Sequence, residues 1–219
     1  MSRAVEIDLP EVVLSGDLTM PEGARALVIF AHGSGSSRHS TRNRFVARRI
    51  NEEGLGTLLM DLLTEDEERV DEVTRELRFD IGLLARRVAQ VVEWAARQRE
   101  LAGMKVGLFG SSTGAAAALV AAAELSEVAV QAVVSRGGRP DLAGRALRRV
   151  PCPVLLIVGG RDEVVIELNE QARAEMRCET ELVIVPGATH LFEEAGALEQ
   201  VADLAAGWLK SRMREELET

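Results

Sequence analysis

The amino-acid sequence predicts an α/β protein, in which helices cover both faces of a mostly parallel β-sheet. The first observation is the alternation of short aliphatic runs with longer segments whose apolar residues recur every three or four positions. Such runs are typical of buried strands, and such segments are typical of amphipathic helices. Strands that alternate with helices form βαβ units, which produce a parallel sheet. The second observation is a glycine-flanked serine that lies between a strand and a helix.

Length and composition restrict the class of protein. A chain of 219 residues is long enough for one α/β domain, residues 1–219, and short for two. The net charge of −9 argues against a nucleic-acid partner, and no apolar run reaches the roughly 18 residues of a membrane span. Residues 1–10 lack the apolar core of a signal peptide. We therefore expect a cytoplasmic protein with no nucleic-acid or membrane partner, and we expect it to be a monomer or a homodimer.

The first part of the chain predicts four strands and one helix. Residues 5–9 and 12–20 have strand patterns separated by a Pro-Glu break, and they are expected to pair antiparallel. The uniformly apolar run at 26–31 predicts a central strand that is covered on both faces. A helix with one apolar stripe follows around 45–50, and the next strand covers 57–63.

The rest of the chain continues this alternation. The acidic segment 65–76 has few apolar residues and predicts either a solvated loop or a surface helix. Apolar residues at helical spacing predict a long amphipathic helix over 79–101. The remaining predicted elements are strands at 104–109, 130–135, 154–159 and 181–185 and helices at 115–123, 141–149, 166–176 and 197–214.

The pentapeptide GSSTG at 110–114 joins a predicted strand to a predicted helix. A G-x-S-x-G pattern at a sharp strand-to-helix turn is the arrangement of a nucleophile elbow. The two glycines suit this turn because a Cβ at either position would collide with the adjoining strand or helix. Ser112 is therefore the candidate nucleophile, and the alternative is an ordinary glycine-containing turn.

Polar, small and ionisable residues follow five of the predicted strands. Because ligands of such sheets bind beyond the carboxyl ends of the strands, we expect these residues to converge at one edge. The groups are His32-Gly33-Ser34, Ser112, Arg136-Gly137-Gly138-Arg139, Gly160-Arg161-Asp162 and Thr189-His190.

A serine nucleophile needs a base within hydrogen-bond reach, and the base needs a group that orients it. His190 is the one histidine of three that lies downstream of Ser112, as the Ser–Asp–His order on this type of sheet requires. Asp162 is the first carboxylate after the preceding strand and is the candidate acid. Its neighbour Glu163, and Asp141 after an earlier strand, are the alternatives.

Two backbone N–H groups should stabilise the negative oxygen that develops during acyl transfer. One candidate is the N–H of Thr113, which begins a helix whose dipole favours negative charge. The other is the N–H of Ser34, in the glycine- and serine-rich loop that follows the strand at 26–31. Gly33 would allow close backbone approach there, and both His32 and Gly33 are expected to line the substrate site.

Five arginines lie in loops that should border this site, namely Arg38, Arg42, Arg44, Arg136 and Arg139. One or two of them could bind a substrate carboxylate or phosphate through paired hydrogen bonds. The alternative is that they pair with nearby acids, including Asp61, Asp141 and Glu193, and hold the loops in place. Arg136 is the best candidate for substrate binding because it directly follows a strand and precedes two glycines.

The chain resembles the α/β-hydrolase superfamily, and more closely its small, lid-less dienelactone-hydrolase-like branch. The resemblance implies an eight-stranded sheet, a triad of Ser112, Asp162 and His190, and oxyanion donors at Ser34 and Thr113. Dienelactone hydrolases proper use a cysteine nucleophile, so the serine here favours general esterase chemistry over dienelactone as a substrate. The resemblance covers essentially the whole chain and rests on AHGSGSSRHSTRNR (31–44), DLLTEDEE (61–68), LFGSSTGAAAAL (108–119), SRGGRPDLAG (135–144), VGGRD (158–162) and PGATHLFEE (186–194).

The leading hypothesis is hydrolysis of small carboxylic esters or thioesters through an acyl-enzyme on Ser112, with no cofactor and no metal. The alternatives are acyl transfer or peptidase activity with the same triad, and a binding or scaffold protein that keeps the fold without turnover. No cap domain fits between the strands at 130–135 and 154–159, so we expect an open, shallow pocket. Cys152 and Cys178 have no metal-ligand spacing and are expected to be reduced.

Overall fold

One eight-stranded sheet forms the centre of the computed structural model, which describes residues 2–125 and 130–213. The strands are β1 (Ser2–Asp8), β2 (Val13–Thr19), β3 (Ala26–Ala31), β4 (Gly56–Met60), β5 (Lys105–Ser111), β6 (Ala132–Arg136), β7 (Val154–Gly159) and β8 (Thr180–Val185). They follow the order β1-β2-β4-β3-β5-β6-β7-β8 across the sheet. The strand β2 pairs antiparallel with β1 and β4, and the other pairs are parallel. The predicted mostly parallel sheet is confirmed.

The described residues also form six α-helices and two 3-10 stretches. The helices are α1 (Thr41–Glu52), α2 (Glu65–Thr74), α3 (Ile81–Arg97), α4 (Thr113–Glu124), α5 (Glu163–Glu175) and α6 (Ala197–Met213), and the 3-10 stretches are Leu77–Phe79 and Pro140–Arg149. The predicted last helix reached residue 214, which lies outside the described residues. Within the described part of the chain, every helix is too short or too polar to cross a membrane.

Two apolar layers cover the two faces of the sheet. Helices α3 and α4 pack on one face, and α1 and α6 pack on the other. Successive side chains of a strand alternate between the layers, so Val133 faces the α3–α4 layer and Val134 faces the α1–α6 layer. Strands β3 and β7 are buried along their whole length, as is typical of strands with helices on both sides.

The acidic segment predicted as a loop or a surface helix forms helix α2. Its first residue follows a capping box, in which the Thr64 hydroxyl accepts from the Glu67 N–H and the Glu67 carboxylate accepts from the Thr64 N–H. The residues of its first turn are all acidic, which is favourable at the positive end of a helix dipole. The capping box and the acidic first turn therefore stabilise the start of α2, although its apolar pattern is weak.

Two other predicted helices differ in extent or type. The predicted helix at 79–101 is shorter because the Asp80 side chain accepts a hydrogen bond from the Leu83 N–H and caps α3. The predicted helix at 141–149 is the 3-10 stretch Pro140–Arg149, which is kinked at Gly144. This stretch is what connects β6 to β7, so the expected absence of an inserted cap domain there is confirmed.

Substitution of Gly114 by alanine tests the close packing between β3 and the start of α4. A Cβ at this position would lie 2.3 Å from the carbonyl oxygen of Ala31 and 2.4 Å from that of His32. Both are backbone atoms, so the strand or the helix would have to shift. We expect Gly114→Ala to lower the free energy of unfolding by about 1–3 kcal/mol, measured by urea denaturation.

The matched control is Gly207→Ala. Gly207 is exposed on α6, and a Cβ added there would meet nothing within 4 Å beyond the adjoining backbone of its own helix. Because alanine is the better helix former, this change should raise the free energy of unfolding by about 0.5–1 kcal/mol. A Gly114→Ala protein as stable as the wild type would contradict the packing at the elbow.

Candidate active site

Ser112 connects β5 to α4 in a strained backbone conformation. Its φ is 50° and its ψ is −120°, a combination that residues other than glycine rarely adopt. Three backbone hydrogen bonds hold it. The N–H of Ser112 donates to the carbonyl of Arg136 at 3.3 Å, and its own carbonyl accepts from Ala115 and Arg139 at 3.1 Å each. The predicted strand-to-helix turn is present, with Ser112 half-buried at the N-terminus of α4.

His190 and Asp162 form a hydrogen-bonded pair after β8 and β7. Nδ1 of His190 lies 2.6 Å from Oδ2 of Asp162. Because a carboxylate accepts, Nδ1 donates, and Nε2 is then the basic nitrogen of the neutral ring. The His190 side chain is 40% exposed and the Asp162 side chain 17%. In such a pair the accessible imidazole can take up a proton, and the covered carboxylate stabilises the positive charge that results.

The two alternative acids have other surroundings. Asp141 accepts two hydrogen bonds from the Arg139 guanidinium, at 2.8 and 2.7 Å. Glu163 is the exposed first residue of α5. Of the three candidate acids, Asp162 is the one whose carboxylate bonds to the His190 ring.

The end of β6 lies between Ser112 and His190. Arg136 at this end accepts the hydrogen bond from the Ser112 N–H. A Cβ on the next residue, Gly137, would lie 3.6 Å from Cε1 of His190. The sheet edge therefore gathers the serine turn and the histidine loop around one strand end, as the convergence of polar groups predicted.

The loop after β3 packs against the N-terminus of α4. A Cβ on Gly33 would lie 3.1 Å from Cβ of Ser112 and 3.2 Å from the carbonyl oxygen of Ser111. The N–H of Ser34 donates to the hydroxyl oxygen of Thr113 at 3.0 Å. The two residues predicted to supply oxyanion donors are thus in direct contact. Because the Ser34 N–H donates to the Thr113 hydroxyl here, it would have to leave this acceptor before it could bind an oxyanion.

His32 is buried and joins this loop to the segment after β4. Its Nε2 accepts from the Leu62 N–H at 3.0 Å, so Nδ1 carries the ring proton and donates to the Gly33 carbonyl at 2.9 Å. Burial lowers the pKa of His32 and outweighs the opposing effects of the Gly33 hydrogen bond and the Asp61 charge. His32 was predicted to line the substrate site. Both of its nitrogens bond to the backbone, so it holds the loop and can meet a substrate only through ring carbons.

A cleft of about 530 Å³ opens to solvent beside Thr113. The loop after β3 forms one wall, and α2 with the stretch Leu77–Phe79 forms the other. Ser112 and His190 do not line the cleft, which therefore lies on the oxyanion-loop side of the serine. The pocket was predicted to be open and shallow. It is open, but its volume is typical of a site that binds a small molecule. Apolar contacts in it come from Leu62, Leu63 and Leu84.

Sequence reasoning missed that α2 forms a wall of this cleft. Asp71 of α2 is buried and accepts from the backbone N–H and Nε of Arg78, at 3.1 and 2.5 Å. Glu67 accepts from both terminal nitrogens of Arg87, at 2.7 and 2.5 Å. These ion pairs fix α2 against the neighbouring elements. The signal was the Thr64-x-x-Glu67 spacing, which is typical of a helix start.

Four of the five rim arginines are paired with carboxylates. The pairs are Arg38–Asp61, Arg42–Glu193, Arg44–Asp17 and Arg139–Asp141. These four pairs agree with the alternative from the sequence, in which the arginines pair with nearby acids and hold the loops in place. Arg136 differs, because no carboxylate among the described residues pairs with it.

The sheet order, the strained serine after β5 and the histidine–carboxylate pair at the same edge define the α/β-hydrolase fold class. The chain belongs to the dienelactone hydrolase family, whose family model matches residues 14–213. The resemblance drawn from the sequence is confirmed.

Solved structures extend this result. The crystal structure of a dienelactone hydrolase from Anabaena variabilis has a TM-score of 0.96 and 55% sequence identity, covering 98% of this chain and 99% of that chain. Est1E from Butyrivibrio proteoclasticus has a TM-score of 0.80 at 18% identity, covering 97% and 99%. An esterase from Pyrococcus furiosus has a TM-score of 0.76 at 20% identity, covering 98% and 92%. At such low identity, the latter two show a shared fold.

Curated relatives come from two strains of Mycobacterium tuberculosis and carry the provisional name phosphoribosyl transferase. The chain is 57% identical to them over 204 residues. The match covers 93% of this chain and 45% of each relative. The chain therefore spans about half the length of the curated relatives it matches.

The buried His32 should make stability depend on pH. Its pKa in the folded protein is below its ordinary value of 6.5, so the unfolded chain binds a proton that the folded chain does not. The free energy of unfolding should therefore fall as the pH drops through about 6.5 towards the folded pKa. We expect His32→Asn, which cannot titrate, to lose less stability than the wild type between about pH 7 and about pH 5, measured by urea denaturation.

The control is Ser36→Ala in the same loop, because this change removes no titratable group. This variant should keep the wild-type pH dependence. The same loss of stability in all three proteins would show that the ring of His32 is not held neutral by the fold.

Proposed function

We propose that the protein is a serine hydrolase that cleaves small carboxylic esters or thioesters through an acyl-enzyme on Ser112. The observation that carries this proposal is the His190–Asp162 pair at the same sheet edge as a strained elbow serine. A carboxylate-bound imidazole is the base that a serine hydroxyl needs. Membership of the dienelactone hydrolase family supports hydrolysis as the class of reaction.

In the proposed acylation step, Oγ of Ser112 attacks the carbonyl carbon of the ester while Nε2 of His190 takes the hydroxyl proton. The carbonyl π electrons move to oxygen and give a tetrahedral oxyanion. When this intermediate collapses, the bond to the leaving oxygen or sulfur breaks, and Nε2 returns the proton to the leaving group. Asp162 keeps the ring in the required tautomer and stabilises its charged form.

The oxyanion would be held by the N–H groups of Thr113 and Ser34. The Thr113 N–H lies at the N-terminus of α4, where the helix dipole favours negative charge. The Ser34 N–H would exchange its present acceptor, the Thr113 hydroxyl, for the oxyanion. One such donor contributes about 3–4 kcal/mol to transition-state stabilisation.

Deacylation would use the same groups in reverse. A water molecule enters after the leaving group departs, His190 takes one of its protons, and the hydroxide oxygen attacks the acyl carbon. Collapse of the second tetrahedral intermediate breaks the bond to Oγ of Ser112, which regains its proton from His190. The cleft beside Thr113 is open to solvent, which supports water access for this step.

The cleft beside Thr113 supports small or flexible esters as the substrate class. Its volume of about 530 Å³ is suited to a small molecule. The side chains of Leu62, Leu63 and Leu84 would contact an apolar part of the substrate. Phosphoribosyl transfer is not proposed, because that name belongs to proteins of which this chain spans 45%.

Labelling with a fluorophosphonate tests whether Ser112 is a nucleophile. We expect the probe to label the wild type and Ser111→Ala, and not Ser112→Ala. Ser111 is the matched control because it is the adjacent serine, buried, with its hydroxyl donating to Asn43 at 3.0 Å. Turnover of a p-nitrophenyl ester should fall by about 10⁴-fold or more in Ser112→Ala. A folded wild-type protein that resists labelling would instead be a binding protein that keeps this fold.

Replacement of the orienting acid tests the histidine–carboxylate pair. Asp162→Asn removes the negative charge, and its amide NH₂ can donate to Nδ1 and favour the wrong tautomer of His190, so kcat for a p-nitrophenyl ester should fall by about 10⁴-fold. Glu163→Gln changes the neighbouring carboxylate, which is exposed, and should leave kcat within about threefold of the wild type. Equal losses of kcat in Asp162→Asn and Glu163→Gln would contradict the role of Asp162 in orienting His190.

A further inference from the structure

Asn169, in the middle of α5, is a polar residue that is completely buried. Its Nδ2 donates to two backbone carbonyls, that of Val165 at 2.7 Å and that of Gly138 at 3.0 Å. Because a carbonyl oxygen only accepts, the nitrogen of the side-chain amide must be the atom that faces both. The first bond lies within α5, and the second crosses to the loop after β6. The Asn169 side chain therefore ties α5 to this loop.

The peptide group between Gly138 and Arg139 lies between Asn169 and the serine turn. Its carbonyl accepts from Nδ2 of Asn169, and its N–H, which belongs to Arg139, donates to the Ser112 carbonyl at 3.1 Å. The peptide group is planar, so its two ends are oriented together. Gly138 also packs against the first turn of α4, since a Cβ added to it would lie 2.7 Å from Cβ of Ala115. A continuous chain of two hydrogen bonds thus joins Asn169 to Ser112.

The same helix carries the candidate acid at its start. Asp162 is the N-cap residue of α5, and its Oδ2 pairs with Nδ1 of His190. Asn169 follows Asp162 by seven residues, which is about two helical turns, so both residues lie on the same side of the helix. Helix α5 is therefore bonded to the candidate base at its N-terminus and to the serine turn at its middle.

Burial energy alone would favour an apolar side chain in place of Asn169. Its Oδ1 is closed off from solvent, and no donor among residues 2–125 and 130–213 bonds to it. A buried acceptor without a partner is unfavourable, because it loses its hydrogen bonds to water. The other buried positions of α5 near it, Val165 and Ala172, are apolar. The contribution of the amide at this position is therefore its hydrogen bond to Gly138.

We propose that Asn169 is a positioning residue for the reaction at Ser112. Its Nδ2 orients the peptide group between Gly138 and Arg139, and this peptide group holds the strained serine in place relative to His190. The inference rests on the proposed hydrolysis at Ser112 and adds a residue that acts on it through the backbone. Asn169 does not line the cleft beside Thr113, so it affects the chemical step and not the binding of the substrate.

Asn169→Leu tests this role, because leucine has a similar size and makes neither hydrogen bond. Without the bond to Gly138 the serine turn can shift, and a displacement of about 1 Å in a catalytic group can cost about a hundredfold in rate. We expect kcat for p-nitrophenyl butyrate to fall by about ten- to a hundredfold and KM to stay within about threefold of the wild type. Both constants are measured at a temperature at which circular dichroism shows the variant to be folded.

Two further variants separate positioning from stability. In Asn169→Ser the hydroxyl can donate to the Val165 carbonyl, four residues earlier in the helix, but is too short to reach Gly138. This variant should lower kcat in the same way, and it replaces Asn169→Leu if the leucine variant does not fold. The matched control is Ala172→Gly, which weakens the same helix because glycine is the poorer helix former. Its kcat should stay within about twofold of the wild type.

Hydrogen exchange of the Arg139 amide separates this inference from the hydrolysis on which it rests, because it needs no turnover. Relative to the amides of α3, both Asn169 variants should exchange the Arg139 N–H about tenfold faster or more, and Ala172→Gly should not. Unchanged exchange in both variants would overturn the inference, and so would faster exchange with wild-type kcat. If the wild type hydrolyses no ester, the hydrolysis proposal fails, and the exchange of Arg139 alone supports or overturns the positioning of the serine turn by Asn169.

Discussion

The close approach of the β3 terminus to the start of α4 is the constraint on which the candidate site depends. Gly114 permits it, because a side chain there would meet the carbonyl oxygens of Ala31 and His32. The same contact lets the Ser34 N–H reach the Thr113 hydroxyl. The loop after β3 and the start of α4, which are distant in sequence, are thereby held in fixed positions relative to each other. The oxyanion loop and the serine turn are positioned together, before any substrate is bound.

Strain at Ser112 extends this coupling to the next strand. A non-glycine residue in such a conformation costs about 1–3 kcal/mol and persists only where its surroundings determine it. Here the surroundings include Arg136 and Arg139, whose backbone groups bond to Ser112. The end of β6 therefore supports the serine turn and also lies against the His190 ring. Any change that moves this strand end would move the candidate nucleophile relative to the candidate base.

Much of the fold could be predicted from the sequence, since periodicity and turn chemistry are local properties. The strands, their mostly parallel arrangement and the turn around Ser112 all follow from patterns within a few residues. The wall of the cleft could not be predicted in this way. It depends on two ion pairs of α2, Glu67–Arg87 with α3 and Asp71–Arg78 with the stretch Leu77–Phe79. These pairs form only because the fold brings the three elements together. The engagement of the Ser34 N–H by Thr113 is equally a contact between distant segments.

Only the fold shows which of the five rim arginines pair with carboxylates. All five were predicted to lie in loops that border the site, yet four meet carboxylates and Arg136 does not. The difference arises from strand alternation, because Ser135 faces α4 and Arg136 faces the opposite layer, below Phe192. A residue needed there only for stability would be apolar, as Val134 is two positions earlier on the same face. A buried cation without a paired carboxylate weakens the folded state relative to an apolar side chain of similar size, so strand alternation explains where the Arg136 side chain lies and burial energy does not explain why it is an arginine.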